Sequence, residues 1–173
     1  KKNGYEVCGM ASSGPQAVAL ALETRPDLIL MDIVLEGPMD GIEASAEIHT
    51  QADIPIIYLT AYADAHIIER ARITDAFGYL LKPFEERNLL ATLQMALKKY
   101  ELETQLRLSE ARFRNYFELS LVGTAITGLD GHLINGNQRF AEIMGYTIDE
   151  IRRVKWQEIT HPDDVGISEY WAE

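Results

Sequence analysis

The sequence predicts an α/β fold: a parallel sheet flanked by helices, then a long helix, then a small α+β unit. Three observations carry this. Short apolar runs alternate with helical patterns through the first two thirds of the chain. A helical pattern then runs from Glu85 to about Phe117. After Leu119 the character changes to short strand candidates joined by a turn dipeptide. Strand and helix alternating at these lengths means βαβ units, and so a parallel sheet with right-handed crossovers.

Tyr5–Ala11 reads as the first strand. Ser13-Gly14-Pro15 opens a helix: Ser or Gly can cap it, Pro suits its first turn, and Ala17, Leu20 and Ala21 form an apolar face. Pro26 helps to end it. Leu28–Met31 is a continuous apolar run, as expected of a strand buried on both faces of a parallel sheet. Asp40-Gly41 leads into a helix with Ile42, Ala46 and His49. Pro55–Leu59 is the next buried strand, Asp64 caps a helix to about Thr74, and Phe77–Leu81 is another strand.

In the long helix, Leu90, Leu93, Leu97 and Tyr100 keep a heptad spacing. Leu102, Leu106, Ser109, Phe113 and Tyr116 keep another, with a frame shift between the two sets. That pattern suits a coiled-coil connector pairing two chains. The plainer alternative is an amphipathic helix packed on its own domain. Beyond it, Gly123–Thr127 and His132–Asn135 are strand candidates around the turn dipeptide Asp130-Gly131. Phe140–Tyr146 and Ile148–Trp156 suggest short helices.

Composition limits the function. The chain has 173 residues, 47% hydrophobic and 25% charged, enough for one core and a second small one. A net charge of −11 argues against nucleic-acid binding by this segment, which needs a basic face. No stretch approaches the ~20 apolar residues of a membrane helix, so no membrane contact is expected. Cys8 is the only cysteine, which excludes an internal disulfide and fits a reducing cytoplasm. The Lys1-Lys2 start has no initiator Met and no apolar run after it, so the chain reads as an excised piece without a signal peptide.

Function concentrates at the carboxyl ends of parallel strands. Three polar residues stand there: Asp32, Thr60 and Lys82. An Asp after one strand reads equally as a turn residue, and a lone Lys as a surface lysine. The three together, each ending a successive strand, supply most of a phosphoryl-transfer site. Asp32 can act as a nucleophile, Lys82 can hold a phosphoryl oxygen, and Thr60 can donate to another. The missing part is a divalent cation.

The motifs Asp27-Leu28-Ile29-Leu30-Met31-Asp32-Ile33-Val34-Leu35, Met39-Asp40-Gly41, Pro55-Ile56-Ile57-Tyr58-Leu59-Thr60-Ala61 and Gly78-Tyr79-Leu80-Leu81-Lys82-Pro83-Phe84 resemble a response-regulator receiver domain over about residues 1–100. The resemblance implies a doubly wound, flavodoxin-like sheet and a phosphoryl group taken by Asp32 from a histidine kinase or phosphotransfer protein. It makes Thr60 and Tyr79 the switch pair and Ala61 the small residue that leaves phosphoryl access. It also places a cis peptide at Lys82-Pro83. The family's first strand and the acidic pair that holds Mg²⁺ should lie upstream of Lys1, leaving only Asp32 and the backbone carbonyl of Val34 as metal ligands here. The sheet should then lack its first, central strand, and this piece should bind Mg²⁺ and accept phosphate poorly. Val34 and Tyr62 fall at the positions that flank the water approaching a phospho-aspartate, and neither can orient it, which implies a slow loss of phosphate.

The tail, with Arg112-Phe113-Arg114-Asn115-Tyr116-Phe117-Glu118, Asp130-Gly131, Asn135-Gly136-Asn137-Gln138-Arg139-Phe140, Met144-Gly145-Tyr146 and His161-Pro162-Asp163-Asp164, resembles the first half of a PAS sensor domain. Flavin photochemistry through a cysteine adduct needs a Cys near Asn137–Phe140, where there is none, and His161 reads as a loop and capping residue rather than a haem ligand. The division expected is a receiver core over 1–86, a last receiver helix with a coiled-coil-like linker over 87–111, and a partial PAS domain over 112–173. The implied role is phosphorelay signalling to an output domain outside the chain, in a parent that is a sensor kinase or a receiver-controlled protein. Two rivals remain. One is a scaffold that no longer takes phosphate. The other is an aspartyl-phosphate phosphohydrolase, whose haloacid-dehalogenase pattern wants a second Asp where Val34 stands.

Overall fold

The computed structural model describes residues 3–61 and 76–165. The helix expected over 64–74, and Tyr62, lie outside them. The chain divides into two compact units, residues 1–105 and 106–173.

The first unit holds a three-stranded parallel sheet of β1 (Ile29–Asp32), β2 (Ile56–Thr60) and β3 (Gly78–Leu81), in that spatial order. Ile56 and Tyr58 look toward α1 (Gly14–Thr24) and α2 (Gly41–Gln51), where they join Val18, Met31, Ile42 and Ile48 in one core. Ile57 faces the opposite way, into a second core with Leu80, Leu93 and Ala96. A strand buried on both faces is why Pro55–Leu59 is apolar without alternation. Leu93 and Ala96 belong to α3 (Glu86–Glu118), whose first half covers that face.

The helix ends follow local chemistry. Ser13 precedes α1 in extended conformation but makes no side-chain cap bond, so Pro15 and the geometry of the turn start the helix. Arg25 closes it in the left-handed region, at φ 46°. Asp40 caps α2 with a full capping box: its carboxylate accepts from the amides of Ile42 and Glu43, and Glu43 accepts from the Asp40 amide at 2.9 Å. The buried residues of α2 are Gly41, Ile42, Ala44, Ser45 and Ile48. Ser45 can be buried because its hydroxyl donates to the Gly41 carbonyl at 2.7 Å.

Two strand expectations need correction. Residues 6–11 form no regular strand, and Val7 and Met10 are exposed. Extended backbone becomes a strand only beside a hydrogen-bonded neighbour, and no named strand among the described residues pairs with these. The Leu28–Met31 run is not buried on both faces either. Among the described residues β1 pairs with β2 alone, and Leu30 is 39% exposed.

The second unit contains the antiparallel pair β4 (Ala125–Thr127) and β5 (Leu133–Gly136), with a register shift at Ile126/Thr127. Between them Asp130-Gly131 makes the turn, and Gly131 takes φ +83°, a conformation that side chains disfavour. α4 (Gln138–Met144), α5 (Ile148–Ile151) and a 3₁₀ turn (Trp156–Ile159) complete it. Leu133, Ala141 and Ile151 form its small core. Asn137, fully buried, joins the pieces. Its Oδ1 accepts from the amides of Phe140 at 2.8 Å and Thr124 at 2.9 Å. Its Nδ2 donates to the carbonyls of Phe117 at 2.7 Å and Val122 at 3.0 Å. Those four bonds use every donor and acceptor of the amide.

Candidate functional site

The sheet register gathers the three rim residues although they are distant in sequence. Asp32, the last residue of β1, lies opposite Leu59, and Thr60, the next residue of β2, lies opposite Leu81. Lys82 follows directly, its backbone N–H donating to the Thr60 carbonyl at 2.7 Å. The Lys82 ammonium donates to Asp32 Oδ2 in an ion pair. The Lys82-Pro83 peptide is cis.

Both partners remain partly solvated, with the Lys82 side chain 38% and the Asp32 side chain 34% exposed. An ion pair this open is worth ~0–1 kcal/mol, so it does little for stability. It keeps a carboxylate and a cation together where a solute can reach them. The other carboxylate oxygen, Oδ1, accepts the Val34 amide at 3.2 Å. The Asp32 carboxylate is thus aimed by one cation and one backbone donor. Thr60 is buried at the end of β2. Tyr79, on β3, is 37% exposed and stacks on the buried Tyr58, with ring centroids 6.0 Å apart and planes 26° apart.

Gly41 enters the sequence reading as part of a helix start and of the Met39-Asp40-Gly41 motif, without a role of its own. Gly41 packs so closely behind Asp32 that a Cβ there would sit 1.9 Å from the Asp32 carbonyl oxygen. Its amide donates to the Ile33 carbonyl at 2.9 Å. The absence of a side chain lets α2 begin against the end of β1. The signal available was a glycine directly after a capping Asp. A second tie is the loop after β1: the Glu36 amide donates to the Ser12 carbonyl at 3.0 Å, and the Ser12 hydroxyl to Glu36 Oε2 at 3.2 Å.

The described residues hold no group of three or more His, Cys, Asp or Glu side chains able to bind a metal ion. One carboxylate and one carbonyl, Asp32 and Val34, fall short of the near-octahedral oxygen set that Mg²⁺ demands. In the second unit, His161 Nδ1 accepts the Asp163 amide at 3.4 Å and its carbonyl accepts the Asp164 amide at 2.9 Å, the bonds of a capping residue.

The family profile of the response regulator receiver domain matches residues 1–94. The chain belongs to the response regulator receiver family. A profile described as PAS domain matches residues 111–172, so a receiver is followed by a PAS domain. This pairing places the chain in two-component phosphorelay signalling. Among curated relatives, the transcriptional regulatory protein PdtaR of Mycobacterium tuberculosis is 38% identical over 106 residues, covering 61% of this chain and 51% of that protein. The chain therefore spans about half the length of the curated relatives it matches.

Two solved receivers are similar. The N-terminal domain of a response regulator/sensory box/GGDEF three-domain protein from Carboxydothermus hydrogenoformans superposes with a TM-score of 0.54 at 36% identity, covering 60% of this chain and 82% of that one. The receiver domain of a sensor histidine kinase from Pseudomonas aeruginosa gives 0.50 at 38% identity, covering 55% and 79%. That receiver carries a magnesium ion coordinated in its active-site cleft. The parallel sheet of the first unit is thus that of a receiver, in line with the doubly wound expectation. No helix among the described residues is long and apolar enough to cross a membrane.

Proposed function

We propose that Asp32 is the phosphoacceptor of this receiver, taking a phosphoryl group from the phosphohistidine of a histidine kinase or phosphotransfer protein. The observation that carries the reading is the Asp32–Lys82 ion pair, made between residues 50 apart in sequence at one rim of the sheet. A carboxylate oxygen of Asp32 attacks phosphorus, and the P–N bond of the phosphohistidine breaks with its electron pair going to the imidazole. Lys82 then exchanges part of its bond to Asp32 for a phosphoryl oxygen, and the Thr60 hydroxyl donates to another.

Thr60 and Tyr79 form the switch. Thr60 turns toward the phosphoryl group, and Tyr79 moves from its half-exposed stack on Tyr58 into the space vacated. Mg²⁺ would be held by the Asp32 carboxylate and the Val34 carbonyl together with an acidic pair, and would neutralise charge on the phosphoryl oxygens. The domains are a receiver core over 1–86, a helix and linker over 87–111, and a PAS segment over 112–173. Two copies pair through the linker helix, and the signal passes to an output domain in the full-length protein. Against a haloacid-dehalogenase-type hydrolase, an exposed aliphatic side chain, Val34, stands where that chemistry needs a second carboxylate.

The test is labelling with a small phosphodonor and Mg²⁺, in the chain extended by its native upstream residues, with the site mapped by mass spectrometry. A single modified residue, Asp32, is expected, and the unextended chain should label poorly. Retained labelling in Asp32→Asn sinks the proposal.

A further inference from the structure

α3 carries two apolar faces on opposite sides of the helix. At about 100° per residue, Leu89, Leu93, Ala96 and Tyr100 share one side. These pack within the first unit: Leu93 and Ala96 are buried with Leu80 and Ile57, and the Tyr100 ring meets Phe77 edge-on at 5.6 Å. The Tyr100 hydroxyl also donates to the Asp53 carbonyl at 2.8 Å. Of the upstream heptad, Leu93 and Tyr100 thus cover the receiver, together with Leu89 and Ala96 rather than Leu90 and Leu97.

Met95, Leu102, Leu106, Ser109, Phe113 and Tyr116 fall on the other side, in a stripe about 80° wide. All five apolar members are more than half exposed. From Leu102 on, the spacing alternates four and three residues, the pattern of a coiled-coil seam. The seam has defined ends. Lys99, one step before it, leans over the Phe77 ring at 5.0 Å, and Phe117, one residue after Tyr116, is buried in the second unit.

We infer that a second copy of this chain covers the stripe from Leu102 to Tyr116, with the two helices parallel and in register. The flanking charges select this arrangement. In a parallel pair, Lys98 lies beside Glu103 of the second copy, and Gln105 beside Glu110 of the second copy. An antiparallel pair sets like charges together. One register opposes Glu103 and Glu110, and the other opposes Glu110 and Arg112 each to its own copy. The inference rests on the reading of α3 as a dimeric linker and adds its direction and register.

The test uses the 173-residue chain with Cys8→Ser, carrying one new cysteine at a time, under mild oxidation. Leu102→Cys and Tyr116→Cys should each form disulfide-linked dimers alone. Ala111→Cys, on the opposite side of the helix, should not. Links that appear only when Leu102→Cys chains are mixed with Phe113→Cys chains, or Leu106→Cys chains with Tyr116→Cys chains, overturn the parallel arrangement but leave the dimer standing. A dimeric mass with none of these links, single or mixed, overturns the stripe as the interface. A monomeric mass by light scattering at high concentration overturns both this inference and the dimeric linker, and leaves the Asp32 reading untouched. A Leu106→Glu, Phe113→Glu double variant, checked for unchanged helical circular dichroism, should halve the mass. A mass that stays dimeric there removes the seam from consideration.

Discussion

The two units treat their key polar side chains in opposite ways. In the first, Asp32 and Lys82 meet at the end of a sheet with about a third of each side chain open to solvent. In the second, Asn137 is buried, and all four of its hydrogen-bonding positions are taken by backbone groups of Phe117, Val122, Thr124 and Phe140. A saturated, buried amide has nothing left to offer a ligand, and its role is to hold segments in place. A charged pair in half-solvated surroundings adds little to stability and can exchange partners. Burial and saturation together separate a structural polar residue from a reactive one here.

The sharpest way to break this contrast is a pair of variants read in two assays. Asp32→Asn should abolish phosphoryl labelling while changing unfolding free energy by under ~1 kcal/mol, since it removes only a partly exposed ion pair. Asn137→Ala should leave labelling of Asp32 intact and destabilise the second unit by ~3 kcal/mol, because it removes four hydrogen bonds made by a fully buried amide to the backbone of Phe117, Val122, Thr124 and Phe140. Denaturant unfolding measures both. A stable second unit in Asn137→Ala would show that water replaces the lost bonds and that the saturation carries no weight.

A smaller effect concerns how long the phosphoryl group stays. Val34, exposed beside Asp32, has no polar group to orient an attacking water, and Tyr62, which lies outside the described residues, carries neither a carboxylate nor an amide. Replacing them by Val34→Asn and Tyr62→Glu should speed phosphate loss ~10²-fold. Equal decay in parent and variant would mean that these positions do not set the lifetime.

The smallest effect separates an exposed capping carboxylate from both cases. Asp130 is held below the ordinary carboxylate range, chiefly by the backbone amide of His132 donating to it at 3.1 Å. A depressed folded-state pKa means its contribution is complete at neutral pH. That contribution fades as pH falls through the ordinary Asp range, and is lost below the lowered value. The His132 amide shift should report this titration in nuclear magnetic resonance spectra, and Asp130→Asn should remove it. A midpoint at the ordinary Asp value would show that the turn bond is absent in solution.

Much of this was legible in the chain itself. The apolar runs ending in Asp32, Thr60 and Lys82 located the rim, because parallel strands expose their carboxyl ends on one side whatever helices surround them. Asp40-Gly41 marked the start of α2 through its capping chemistry. Other features were not legible. The Tyr5–Ala11 run has strand composition but no regular strand, since pairing is a property of neighbours and not of the segment. The burial of Ser45 in α2 was not legible either, because it depends on the hydroxyl bonding to the carbonyl of its own helix at Gly41.

By itself the sequence determined the kinds of elements, their order, and the residue types at the strand ends, all of which follow from local periodicity and turn chemistry. Only the tertiary structure decided three things. It brought Lys82 onto Asp32, showed that Gly41 must lack a side chain, and divided α3 into a face used by the receiver and a face left exposed. The physical reason is common to all three. Each depends on the separation of atoms from different elements, and the register and packing that set those separations arise only when the sheet and helices come together.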